Sequence, residues 1–299
     1  MTMDSPTEIF QGQRPRLFGI AYRMLGTRAD ADDVLQDAWL RWQSADHAAL
    51  QSAQAWLVTV VTRLAIDRLR AVKAEREHYP GWWLPEPILE PLDERTPESV
   101  AELAGDVSLA FLYLLERLSP DERAAFLLRQ VFDHDYDEIA AMLGKSEAAC
   151  RQMVHRAAER LRQQRPRTAV PRPVHEALLR KFMVAARSGQ REAVKALLAE
   201  DVTAIGDGGG KVPSIAKLLQ GPDRIANLYW AVHRRLGDAV RYELADVNGE
   251  PGLLRYVDGR IESVHCFVVD GAQIVAIYSV RNPDKLARIP GLASGLRAL

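Results

Sequence analysis

The sequence is short of several things, and each shortage excludes something. It has two cysteines, Cys150 and Cys266, far apart and outside any CxxC or Cys/His cluster. Neither a disulfide framework nor a zinc or other metal site is expected, and a reducing cytoplasm is the natural setting. No stretch approaches the roughly 20 uninterrupted apolar residues of a membrane span, so no membrane partner is expected. Met1–Ser5 lacks a basic segment followed by an apolar one, which argues against a signal peptide. Charge of one sign is also missing, because 39 Lys and Arg face 40 Asp and Glu. A uniformly basic surface is thereby excluded. No internal repeat or low-complexity tract occurs. What remains is a globular composition, 47% hydrophobic and 26% charged over 299 residues, enough for two or three domains.

Charge and proline are distributed unevenly. Between Lys145 and Arg172 eight basic residues, including Arg165 and Arg167, face only Glu147 and Glu159, whereas Glu75 to Asp106 leans acidic. Proline is absent between Arg16 and Ala71 but occurs at 80, 85, 87, 91 and 97. These features divide the chain into a helical part (1–75), an extended proline-rich linker (76–106), a second helical part (107–168) and a tail (169–299).

The second helical part carries the most specific local pattern. Ser119-Pro-Asp-Glu122 is a capping box with proline at the first helical position. Ala124, Leu127, Leu128 and Val131 give that helix one apolar face. Tyr136 to Leu143 then reads as a short helix, Gly144 as a left-handed turn, and Ser146 as the cap of the next helix. There Cys150, Val154, Ala157 and Leu161 form the buried stripe. Arg151, Gln152, His155 and Arg156 face outward with Glu147. A short helix, a glycine turn and a basic outward face suit insertion into a DNA major groove, where arginine and glutamine read base edges. The plainer alternative is a helical hairpin with a solvated basic face.

In the first part, Val34, Leu35, Ala38, Trp39 and Trp42 make an apolar stripe that leaves Asp32, Asp33, Gln36, Asp37 and Arg41 outside. An acidic face does not hold phosphates, so it is either solvated or docks a protein. Gln43 to Gln54 reads as a loop. Ser52 caps a helix running to about Val72, with Leu57, Val60, Val61, Leu64 and Leu69 inward and Thr59, Arg63, Asp67 and Arg70 outward. Trp56 reads as core.

The order of these motifs resembles a known family. Ala31 to Trp42 looks like the polymerase-binding helix of sigma region 2, and Ala55 to Arg70 like the helix that reads the −10 element. Leu118-Ser-Pro-Asp-Glu-Arg123 with Asp137-Glu-Ile-Ala-Ala-Met-Leu-Gly144 is similar to region 4. Trp83-Leu-Pro-Glu-Pro87, Asp207-Gly-Gly-Gly-Lys211 and Asn282-Pro-Asp-Lys-Leu286 resemble signature segments of extracytoplasmic-function sigma factors fused to a SnoaL-like domain. The resemblance implies a non-enzymatic, cytoplasmic transcription initiation factor without a cofactor, whose partners are core RNA polymerase and promoter DNA. It implies a multidomain fold of two all-α sigma domains, regions 2 and 4, the latter a helix-turn-helix, plus a C-terminal α+β SnoaL-like cone-shaped domain. By position, Asp32, Asp33, Gln36 and Asp37 would face the polymerase. Thr59, Arg63, Asp67 and Arg70 would lie along the −10 strand, and the Gln43–Gln54 loop would receive a flipped base. Glu147, Arg151, Gln152, His155 and Arg156 would meet the −35 element. Many relatives have asparagine where this chain has Arg63. Trp83, Leu84, Pro85, Asp207, Gly208, Gly209, Gly210, Lys211, Asn282, Pro283, Asp284 and Lys285 would be the regulatory interdomain residues.

The tail reads as helices at His175–Arg187 and Glu192–Leu198, a strand at Asp201–Ile205 and a helix at Pro222–Leu236. Strands follow at Arg241–Asp246, Leu253–Val257, Ile261–Val269 and Ile274–Val280, which together predict a curved antiparallel sheet. Asn248-Gly249, Asp258-Gly259 and Asp270-Gly271 occupy the turns. Such a fold often forms a pocket, so a small-molecule ligand of this domain is kept as an expectation. Asp207, His233 and His265 are candidate acid–base groups, and Trp230 and Tyr278 candidate cavity walls, but no catalytic spacing joins them; structural histidines are the simpler reading. Asp207 to Lys211 is not a phosphate loop, since Ile205 and Val212 stand where glycine and Ser/Thr are required. It reads as a flexible turn whose backbone can closely approach another domain. Two rivals stay open: an enzyme built on the tail, and a ligand-sensing DNA-binding regulator that works without polymerase.

Overall fold

The computed structural model describes residues 5–90, 107–162, 170–287 and 289. The later part of the proline-rich linker, with Pro91 and Pro97, and the arginines 165 and 167 lie outside the described residues. Chain contacts form two compact units, one from residues 5–78, 107 and 111–162, the other from 79–90, 108–110, 170–287 and 289.

The first unit is helical. Helix α1 (Pro6–Leu25) begins at a Ser5/Glu8 capping box and stops at Gly26, which takes a φ of 75°. Thr27 then caps α2 (Arg28–Gln43), a 3-10 turn covers His47–Ala49, and Ser52 caps α3 (Ala53–Arg76). The three helices close over Leu17, Tyr22, Leu35, Ala38, Trp42, Leu57, Val61 and Leu69, all buried. Trp42 also donates its indole N–H to the Pro6 carbonyl at 2.7 Å.

One expectation needs correcting here. Val60 and Leu64 of α3 are only half-buried, while Val58, Thr62, Ala65 and Ile66 are buried. The apolar arc of α3 is turned toward positions 58, 62 and 66, because the helix packs against both α1 and α2 rather than against one neighbour. Trp39 and Trp56 are also half-buried, and Trp56 lies 5.5 Å from the Trp42 ring.

Helices α4 (Leu109–Leu115), α5 (Pro120–Gln130), α6 (Tyr136–Leu143) and α7 (Glu147–Arg162) follow. Ser119 and Glu122 form the capping box of α5. Gly144 ends α6 with a φ of 63°, and the Ser146 hydroxyl accepts the Ala149 N–H at the start of α7. Cys150, Val154, Ala157 and Leu161 are buried as the spacing predicts.

The second unit puts α8 (Arg172–Arg187), α9 (Arg191–Ala196) and α10 (Pro222–Leu236) against a seven-stranded sheet. Its strands are β1 (Leu89–Glu90), β2 (Leu198–Asp207), β3 (Leu219–Gln220), β4 (Val240–Val247), β5 (Glu250–Val257), β6 (Arg260–Asp270) and β7 (Gln273–Val280), in the order β1-β4-β5-β6-β7-β2-β3. A four-residue helix, α11 (Pro283–Leu286), follows β7. Asn248-Gly249 and Asp258-Gly259 both take positive φ, the type I′ pattern that suits the right-handed twist of hairpin strands.

The sheet is not wholly antiparallel, as β2 runs parallel to β7. The β4–β7 meander fixes the direction of its last strand, and β2 joins that strand from a distant part of the chain, so no tight turn constrains the pair. Leu179, Phe182, Ile225, Tyr229, Leu253, Phe267, Ile274 and Ile277 are among the buried side chains between helices and sheet.

Candidate nucleic-acid interface and linker clasp

Three groups of side chains follow from these elements. The first lies on the first two helices of the helical unit and on α3. Asp32, Asp33, Gln36 and Asp37 of α2 are exposed, with Asp32 paired to Arg14 at 3.2 Å. On α3, the Thr59 hydroxyl bonds back to the Ala55 carbonyl. Arg63 reaches the C-terminal carbonyls of α6, Met142 at 2.8 Å and Ala141 at 3.2 Å. Such carbonyls carry the negative end of a helix and attract a cation. Arg70 bridges Asp67 of its own helix and Asp121 of α5 at 2.8 Å. Below it, Lys73 donates to the Leu118 carbonyl at 2.5 Å, while Arg76 and the fully buried Arg123 share Glu116. Burial would raise the Glu116 carboxyl, but Arg123 and Arg76 outweigh it and hold the group below its ordinary value. Burial, with Arg123 and Arg76 nearby, depresses Lys73. The two arginines of the outward stripe, Arg63 and Arg70, are thus engaged with α6 and α5, while Thr59 and Asp67 bond within α3.

The second group is on α7. Glu147, Arg151, Gln152, His155 and Arg156 are all exposed. Arg151 pairs with Glu147 at 2.7 Å. Arg156 behaves differently: its Nε lies 3.3 Å from Glu122, which also takes Arg160 at 3.0 Å. Arg151, Gln152 and His155 line an open depression of about 550 Å³ together with Gln130 and Tyr136.

The third group lies in the second unit, where residues 79–90 run over the ends of the sheet. Asp207, at the end of β2, is fully buried. Its carboxylate accepts from the Tyr79 hydroxyl (2.6 Å), the Leu84 N–H (3.0 Å), the Gly209 N–H (2.9 Å) and Lys285 Nζ (2.6 Å). Lys285 also donates to the Leu84 carbonyl, and its ammonium sits 4.2 Å from the Trp83 ring centre and 5.4 Å from that of Tyr79. Burying this ion pair is tolerable because the carboxylate accepts four hydrogen bonds, the ammonium donates to two acceptors, and the aromatic faces add cation–π attraction. Burial and the Asp207 carboxylate push the Tyr79 phenol above its ordinary value, so it stays a donor.

Asn282 caps α11 with its carbonyl and donates its amide to the Tyr79 hydroxyl at 2.8 Å. Lys211 pairs with Asp284 at the surface. Gly209 and Gly210 have positive φ, and a Cβ on either would collide, with Asn282 at 2.6 Å and with Pro80 at 2.5 Å. Gly209 and Gly210 therefore bring backbone close to other segments of the same unit, whereas Gly208 faces Val212 and Ser214 of its own loop. Farther along, Leu84, Pro85 and Pro87 are buried, Ile88 exchanges hydrogen bonds with Asn248, and β1 extends the sheet at β4.

The candidate acid–base groups are not gathered together. Asp207 belongs to the clasp. His265 is buried, with Ser263 Oγ 2.8 Å from Nε2 and Ser279 Oγ 2.8 Å from Nδ1. Burial, then Arg255 and Arg281, hold it well below its ordinary value. His233 lies against Gly189. Trp230 is exposed and carries Arg234 over its ring, so it lines no interior wall. Among the described residues, no group of three or more His, Cys, Asp or Glu could hold a metal.

Residues 9–75 match the family model "Sigma-70 region 2", and residues 108–161 match "Sigma-70, region 4". Over 94% of its length the chain is 38% identical to the ECF RNA polymerase sigma factor SigJ of Mycobacterium tuberculosis, of which it covers 93%. The chain belongs to the extracytoplasmic-function sigma factors.

The crystal structure of the Mycobacterium tuberculosis extracytoplasmic function sigma factor SigJ superposes with a TM-score of 0.78 at 35% identity, covering 95% of this chain and 99% of that one. A probable ECF RNA polymerase sigma factor of that organism, SigI, is 26% identical over 95% of both chains. The first unit of this sigma factor holds regions 2 and 4, and the second is the α+β SnoaL-like domain. No described helix is long and apolar enough to cross a membrane.

Sequence reasoning missed several participants. Tyr79 and Pro80 look like the start of a linker break, and Asn248 like a turn residue. Glu116 and Arg76 carry no motif, and Arg123 closes the Leu118–Arg123 segment without a role assigned to it. Only their tertiary partners identify them.

Proposed function

We propose that this sigma factor directs promoter-specific initiation through three faces. Asp32, Asp33, Gln36 and Asp37 meet core RNA polymerase. Thr59, Arg63, Asp67 and Arg70 follow the −10 strand. Arg151, Gln152 and His155 read the −35 element, with Glu147 and Arg156 beside them. The loop from Gln43 to Gln54 accepts the flipped base, and the protein acts in the cytoplasm on its own promoters. The boundaries 1–75, 76–106, 107–168 and 169–299 describe the working parts.

The second unit modulates this activity through the clasp of Trp83–Pro85, Asp207–Lys211 and Asn282–Lys285, which fixes the start of the segment tethering region 2 to region 4. One observation carries the reading: Arg63 and Arg70, on the −10 face, are bonded to region 4, while the −35 face is open. In the packed first unit, promoter −10 DNA and region 4 compete for the same arginines. Initiation therefore requires α3 to part from α5 and α6, and tether length controls how far they part.

Run-off transcription with core polymerase tests this, on promoters selected from a random library and with the full chain. The wild type should initiate at one −10/−35 pair. Asp207→Asn, which loosens the clasp, should change the yield while keeping the start site. Failure to bind core polymerase would remove the sigma reading. Unchanged yield with Asp207→Asn would remove the modulation.

A further inference from the structure

The −35 face contains a ring that the proposed reading does not use. Tyr136 opens α6, directly after the capping residue Asp135. Two guanidinium groups pack against it, Arg129 and Arg151, each with its central carbon 5.1 Å from the ring centroid. Arg129 is tethered there, its Nη1 donating to the His134 carbonyl at 2.9 Å and to Asp135 at 3.1 Å. The ring is therefore held from the α5 side, and it in turn offers a flat surface to Arg151 on α7. Tyr136 also lines the depression that holds Arg151, Gln152 and His155.

Among the described residues Arg151 otherwise has one tether, the Glu147 carboxylate four residues back, and both partners are about half exposed. An exposed i,i+4 pair of this kind is weak and screened by salt. It fixes a distance, not the plane of the guanidinium. Reading guanine takes two parallel N–H bonds to O6 and N7, so the plane is what matters. A cation stacked on an aromatic face has its plane set by that face.

We infer that Tyr136 is a specificity-determining positioning residue, whose ring presents the Arg151 guanidinium edge-on to a guanine of the −35 element. This rests on Arg151 reading a base, as proposed above. The tyrosine hydroxyl is not needed, since the stacking face does the orienting.

The test uses the full chain with core polymerase and a promoter library randomised across the −35 element. Arg151→Ala should erase a guanine preference at one position, by about ten- to a hundredfold. Tyr136→Leu should weaken the preference at that same position about two- to fivefold and leave the others unchanged. Tyr136→Phe should keep it. Arg129→Met, which frees the ring, gives a second route to the same position-specific loss should the leucine variant fold poorly.

Retained preference in both Tyr136→Leu and Arg129→Met overturns the inference. So does an even loss at every position, which marks a merely structural role, or a loss in Tyr136→Phe as large as in Tyr136→Leu, which marks a hydroxyl contact. If Arg151→Ala alters no position, the base-reading role of Arg151 fails and the inference falls with it. If only the Tyr136 and Arg129 variants are silent, the Arg151 reading stands alone.

Discussion

The two units bury charge in different ways. In the first, Arg63, Arg70 and Lys73 tie region 2 to region 4 through separate contacts, several half-exposed, to carbonyls at helix ends and to Asp121, above a smaller buried cluster in which Arg76 and Arg123 share Glu116. In the second, one fully buried carboxylate, Asp207, gathers Tyr79, Leu84, Gly209 and Lys285. Many partly solvated contacts can be traded one at a time for water, polymerase or DNA. A single desolvated hub is lost all at once or not at all. The contrast fits the proposed reading, in which α3 parts from α5 and α6 while the linker clasp stays closed.

Breaking the hub should have the largest effect. Asp207→Asn keeps the shape but leaves Lys285 buried without a countercharge, at a cost of about 3–5 kcal/mol. Thermal unfolding of the full chain should show it, and protease should cut between Tyr79 and Ile88 at least about tenfold faster in native buffer. Protection as in the wild type would mean that β1 and Asn248, not the clasp, hold the segment.

Glu116→Gln comes next, because Arg76 and Arg123 lose the carboxylate they share. A loss of about 3 kcal/mol is expected in the first unit. The Glu116 carboxyl is depressed on folding. Its contribution is therefore complete above its unfolded value of about 4.5 and disappears as pH falls through the folded value. Acid titration of the wild type should show that window, and the variant should be flatter there.

A comparable pH effect of opposite origin belongs to the second unit. His265 is held neutral well below 6.5. The unfolded chain takes up a proton there that the folded chain refuses, so stability is full above 6.5 and falls below it. The slope approaches about 1.4 kcal/mol per pH unit while the folded histidine stays neutral. His265→Gln should remove the slope whatever its effect on overall stability, as read from denaturant unfolding at pH 5.5 and 7.5.

The smallest effect sharpens the comparison most. Asp121 pairs with Arg70 and Lys145 at a partly exposed position. Asp121→Asn should cost at most about 1 kcal/mol. Yet it should raise hydrogen exchange along the outer face of α3 and strengthen binding to core polymerase a few-fold, since it loosens a contact that binding must break. Unchanged exchange would place the opening elsewhere.

The sequence was legible wherever local chemistry decides. The Ser119/Glu122 box, the Gly144 stop and the stripe from Cys150 to Leu161 sit as the spacing requires, because caps and helical period act over four residues or fewer. The Asn-Gly and Asp-Gly turns set the hairpins for the same reason. The buried face of α3 was less legible, since a helix with two neighbours buries a wider arc than one apolar stripe indicates. The parallel pairing of β2 with β7 was hidden as well, because no turn residue encodes it.

The sequence by itself determined the helix-turn-helix, the family and the outward stripes of Thr59–Arg70 and Glu147–Arg156. Those follow from side-chain periodicity and capping. Only the tertiary structure decided which stripe is engaged and which is open. It also decided that Asp207, Lys285 and Tyr79, up to 206 positions apart, close on one another. Long-range pairing depends on where the chain brings distant segments together, and no local pattern in either segment states its partner.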